Sequence, residues 1–72
     1  MTFQELAELV KGKTCPLDAE NENGELVIIA AGRADGERFF KVTTFQKNGW
    51  QRINYIWENG TREELFEKEK AQ

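Results

Sequence analysis

The sequence predicts an α+β domain in which one N-terminal helix packs across a four-stranded antiparallel meander. Two observations carry that expectation. Four Asx-Gly dipeptides, Asn23-Gly24, Asp35-Gly36, Asn48-Gly49 and Asn59-Gly60, recur at nearly even intervals. Asx followed by Gly is the favoured pair for a type I′ hairpin turn, whose two central residues both need positive φ. Ahead of these turns lies a single amphipathic segment with its own start and stop signals.

That segment is predicted as a helix over 3–11. Thr2 and Glu5 have the spacing of a capping box. Phe3, Leu6, Ala7 and Val10 recur at helical spacing and form one apolar stripe, with Leu9 at its margin. Gly12 suits the left-handed position that ends a helix. So short a helix is marginal alone in water and needs a surface to pack on.

Residues 12–24 hold Pro16 and the polar run Asp18 to Gly24 and read as a connecting loop. Strands are predicted over about 25–33, 37–46, 50–57 and 62–67. β-branched and aromatic residues are enriched in the first three. In the fourth, Thr61-Arg62-Glu63-Glu64 is a second capping-box pattern, and residues 62–71 are rich in helix-forming Glu and Lys. Leu65 and Phe66 are adjacent and form no helical stripe, so a strand is preferred, with a helix as the alternative.

Treating each Asx-Gly pair as a two-residue loop fixes the register. Leu26 then falls opposite Phe45, Phe40 opposite Trp57, and Trp57 opposite Arg62. One face collects Val27, Ile29, Ala31, Phe40, Val42, Thr44, Ile53, Tyr55, Trp57 and Phe66, and is expected to lie under the helix. The other collects Leu26, Ile28, Ala30, Phe39, Lys41, Thr43, Phe45, Trp50, Arg52, Asn54, Ile56, Glu63, Leu65 and Glu67. It is far more apolar than a solvated sheet face. The same register sets Arg52 opposite Glu67 and Lys41 diagonal to Glu63. A loop of three residues would shift a strand by one and swap its faces.

Composition narrows the function classes. The 72 residues make one domain, 1–72, near the lower size limit for an independent core. Cys15 is the single cysteine and there is no histidine, so neither an internal disulfide nor a His/Cys zinc site is expected. The acidic loop Asp18 to Glu25 does not follow the ligand order of a calcium loop. No serine, no activated thiol and no phosphate-binding glycine loop points to catalysis, and no cofactor is expected. Residues 1–13 lack a signal-like apolar run, and no segment approaches the ~20 apolar residues of a membrane span. A cytoplasmic protein without membrane contact is the expectation. Net charge is −3, from 13 acidic and 10 basic residues, which weighs against binding a phosphate backbone. Acidic residues cluster in the 18–25 loop and again as Glu58, Glu63, Glu64, Glu67 and Glu69.

The functional expectation is a non-enzymatic interaction domain. The candidate partner-binding residues are Phe39, Lys41, Phe45, Trp50, Arg52 and Ile56, meeting a protein partner or a second copy in a homodimer. A first alternative is an acidic regulator that mimics nucleic-acid charge toward a basic protein, through Glu20, Glu22 and Glu25. A second is weak single-strand nucleic-acid binding through Trp50 and Phe45. That face carries only two basic residues, partly neutralised by Glu63 and Glu67, so nucleic acid ranks last.

Overall fold

The structure is a computed structural model that describes residues 1–68. Helix α1 (Phe3–Val10) precedes five strands: β1 (Leu17–Glu20), β2 (Leu26–Ala34), β3 (Glu37–Phe45), β4 (Trp50–Trp57) and β5 (Arg62–Lys68). They form one antiparallel sheet in chain order, β1 to β5. The class is α+β, with five strands rather than the expected four. The additional strand lies inside the predicted 12–24 loop. Leu17 and Ala19 alternate with Asp18 and Glu20, and this short period-two pattern pairs with Ile29, Ile28, Val27 and Leu26 of β2. Residues 62–68 are a strand. The part of the helical alternative beyond Lys68, and Glu69 of the acidic cluster, lie outside the described residues. Among the described residues no helix is long and apolar enough to cross a membrane.

The capping box forms as expected. The Glu5 amide donates to Thr2 Oγ1 at 3.1 Å, and the Thr2 amide donates to Glu5 Oε1 at 2.8 Å. The bond from the Thr2 amide is the main reason the Glu5 carboxylate has a pKa below the ordinary value, with the Thr2 side chain assisting. Gly12 follows the helix at φ +75°.

The turns decide the register, and only one of them is the expected kind. At Asp35-Gly36 both residues have positive φ, 52° and 78°, and the two-residue loop keeps Leu26 opposite Phe45. The other three Asx-Gly pairs close three-residue loops. Gly24, Gly49 and Gly60 each donate their amide to the carbonyl three residues back, at Asn21, Gln46 and Trp57. In each loop the glycine alone has positive φ. This is a type I turn followed by a left-handed glycine, the usual three-residue hairpin. Asn48 and Asn59 accept the amides of Trp50 and Thr61 through Oδ1 at 3.0 and 2.8 Å. That bond favours asparagine at these positions without requiring positive φ.

Two consequences follow. β4 slips by one residue against β3, so Phe40 meets Ile56 and Phe39 meets Trp57. β5 slips by one against β4, setting Arg52 opposite Phe66 and Ile56 opposite Arg62. The first slip turns β4 over relative to expectation. The second returns β5, so Phe66 lies on the helix side as predicted and Glu63, Leu65 and Glu67 lie on the other. The expected Arg52–Glu67 and Trp57–Arg62 pairings are not formed, because both assumed a two-residue loop.

The core lies between α1 and the sheet. Leu6 is fully buried and packs with Val27, Ile29, Phe40 and Ile56. Phe3 extends the contact, its ring centroid 4.9 Å from that of Phe40. Arg38 lies over the outer side of Phe3 at 5.5 Å and forms a forked ion pair with Glu58, which follows the end of the neighbouring strand β4. Both partners of that pair are substantially exposed, so it trims the surface rather than holding the core.

Candidate interaction face

The face turned away from α1 is built in rows across the strands. Glu20, Leu26, Phe45, Gln51 and Glu67 form one row, and Asp18, Ile28, Thr43, Ile53 and Leu65 the next. Ala30, Lys41, Tyr55 and Glu63 form a third, and Gly32, Phe39 and Trp57 a fourth. Apolar and aromatic residues predominate on the inner strands, with Thr43 and Lys41 between them, and carboxylates stand on both outer strands. No helix covers these rows.

Of the six candidate partner-binding residues, the structure brings Phe39, Lys41 and Phe45 together here. Trp50, Arg52 and Ile56 lie on the helix side, because the loop through Lys47, Asn48 and Gly49 turns β4 over. Their places are taken by Ile53, Tyr55 and Trp57, which the two-residue register had assigned to the core. Asp18 and Glu20 join the face through β1, which lies inside the predicted 12–24 loop. The signal for the slip lay in Lys47 and Glu58: a polar residue before each Asn-Gly, where a three-residue loop begins.

Three aromatic rings form the tightest cluster. Phe39 lies 4.8 Å from Trp57 and 5.8 Å from Tyr55, both tilted, and Lys41 Nζ stands 5.9 Å from the Tyr55 ring centre. Phe39 also lies across Gly32, where a Cβ would come within 2.5 Å of its ring tip. A side chain at 32 would therefore force the Phe39 ring to shift, a close approach of the kind that glycine marks inside a strand. The Trp57 indole nitrogen is buried without an acceptor among the described residues. At the margins Leu26 and Leu65 are 47% and 48% exposed, whereas Ile53, flanked by Thr43 and Leu65, is buried.

The acidic residues divide by role. Glu20 stands on this face at the end of β1, and Glu22 is exposed in the β1–β2 turn. Glu25 is engaged in structure: Oε1 accepts from Asn21 Nδ2 at 2.9 Å and Oε2 accepts from the Lys47 amide at 3.3 Å. The Asn21 bond is the main reason its pKa falls below the ordinary glutamate value, with the Lys47 amide assisting. So Glu25 ties the β1–β2 turn to the β3–β4 turn. Compared with protein-family models, curated proteins and solved structures, the chain finds no match.

Proposed function

We propose that the helix-free face is a docking surface and that the protein acts by binding another protein rather than by catalysis. The observation behind this reading is an apolar and aromatic sheet face with no layer over it, framed on both edges by Asp18, Glu20, Glu63 and Glu67. Contiguous apolar surface of this kind is the usual mark of an interaction site.

The acidic edges select the partner's chemistry. β1 and β5 are four strand spacings apart, about 19 Å, which accommodates a helix of about 10–12 Å diameter with its flanking side chains. An amphipathic helix with an apolar stripe and Lys or Arg on both flanks matches that frame. A second copy matches it poorly. In either aligned face-to-face dimer, β1 lies over its own copy or over β5 of the partner, and carboxylates meet carboxylates. The acidic-regulator idea is absorbed in part: Glu20 frames the face, while Glu25 is committed to the turns.

The test uses a synthetic Leu/Lys amphipathic helical peptide and a scrambled peptide of the same composition, titrated by calorimetry. Saturable binding of the first alone is expected, weakened by Leu26→Ala with Leu65→Ala and by Glu20→Lys with Glu67→Lys. Equal binding of both peptides, or of neither, would contradict the reading. A salt-insensitive dimer in light scattering would assign the face to self-association instead.

A further inference from the structure

The helix covers only part of its own face, and the uncovered part has a different chemistry. Beside Leu6 a cleft of about 320 Å³ opens over the β4–β5 half of the sheet, with Arg52, Asn54, Arg62 and Glu64 on its walls. Further along the same face, past Arg52, the pairing of β4 with β5 builds a two-by-two checkerboard. Arg52 stands opposite Phe66, and Trp50 stands opposite Lys68. Trp50 and Phe66 are thus diagonal neighbours, about 7–8 Å apart by sheet geometry. They are 41% and 55% exposed. Two cations, Arg52 and Lys68, stand in this checkerboard with Glu64 diagonal to Arg52, whereas Arg62 stands opposite Ile56, further along β5, where its charge acts on Glu5. Among the described residues the ion pair within 4.0 Å is Arg38–Glu58, so Arg52 and Arg62 have no carboxylate that close.

We propose that this corner is a stacking platform for a short single strand of nucleic acid, Trp50 and Phe66 each taking a base and Arg52 and Lys68 the phosphates. Every base offers a π face to an aromatic side chain, and neighbouring cations track the backbone. Two exposed aromatics at diagonal spacing suit successive unstacked bases, and the Asn54 amide lies on the same face to meet a base edge. The objection raised by the two-residue register was that Glu63 and Glu67 neutralise Arg52. In the structure those carboxylates point to the opposite face, and Arg52 faces Phe66. Phe45 lies on the opposite face and takes no part. With net charge −3, the platform is expected to bind in the micromolar to submillimolar range.

Trp57→Phe leaves Trp50 as the only tryptophan and the reporter. Titration with oligothymidylate and oligouridylate at low salt is expected to quench its fluorescence to saturation. Log affinity against log salt should fall with a slope of about −1.4 for two phosphates. Phe66→Leu keeps the apolar bulk but removes the π face, and should weaken binding about tenfold. Arg52→Gln with Lys68→Gln should bring the slope toward zero. Equal binding of both oligonucleotides means that base and phosphate alone are read, and tighter binding of the uridylate means that the 2′-hydroxyl is read as well. Should Trp57→Phe fail to fold, the Trp50 indole resonance of the unsubstituted protein reads the same titration. Absence of quenching would overturn the proposal. So would binding unchanged by Phe66→Leu, or equal competition by polyglutamate, which would point to an acidic protein instead.

Discussion

The two faces of this sheet invert the usual division of labour. The helix side holds the buried core of Leu6, Val27, Ile29, Phe40 and Ile56, yet the same face carries Arg52, Asn54, Arg62 and Glu64 toward β5. The opposite face has no helix and holds Phe39, Phe45, Ile53, Tyr55 and Trp57. Within β4 the more apolar residues point away from the helix. A strand normally turns its apolar set toward the covering layer, and this exception is what the proposed docking role rests on. The difference also separates two energies, core packing on one side and availability on the other.

Substitutions can break that comparison, and the largest effect belongs to the core. Leu6→Ala is expected to cost about 2–5 kcal/mol, enough to unfold much of a domain this small, as urea denaturation would read. Leu65→Ala on the helix-free face should change stability by no more than about 0.5 kcal/mol. A Leu65 effect as large as that of Leu6 would mean that the second face is a core in its own right.

Gly32→Ala should come next, at about 1–3 kcal/mol destabilising, because the new methyl drives into Phe39 and disturbs its packing with Trp57 and Tyr55. Adding Phe39→Ala should recover part of that loss. Additive losses in the double variant would remove the close-approach explanation. Trp57→Phe should be smaller still, within about 1 kcal/mol of the parent, since lost area is offset by removing a buried donor with no acceptor. A large loss would show that the indole nitrogen is satisfied.

The smallest effect is that of pH. Glu58 is held below its ordinary value by its hydrogen bond to Arg38 and by the guanidinium charge, and Glu25 by Asn21 and the Lys47 amide. A depressed folded-state pKa gives stability that is present above the unfolded value of about 4.3 and lost as pH falls through the lower folded one. Tm should therefore decline modestly below about pH 4.3, and Glu25→Gln with Glu58→Gln should flatten the decline. An unchanged profile would mean that other carboxylates set it.

The comparison also shows how far the residues alone could lead. Helix α1 and its capping box were legible because Thr2, Glu5 and the stripe Phe3, Leu6, Val10 agree locally. Strands β2, β3 and β4 were legible for the same reason. β1 was not, since Leu17 and Ala19 provide only two apolar positions among acidic neighbours, and its partner β2 supplies the rest. The candidate face was half legible. Phe39, Lys41 and Phe45 precede the ambiguous turn, whereas Trp50, Arg52 and Ile56 follow it and inherit its error. Asn-Gly serves both a two-residue and a three-residue loop, and the choice rests on whether Asn takes positive φ or uses its side chain to accept an amide. That is a difference of one torsion, and it moves every residue of β4.

The most direct test of two unlike faces is an amide chemical-shift map of the protein titrated with the cationic amphipathic peptide. The expectation is of perturbations centred on Ile28, Phe45, Ile53 and Tyr55 and bounded by Glu20 and Glu67, with α1 unmoved. Perturbations centred on Trp50, Arg52 and Phe66, or spread evenly over both faces, would contradict it.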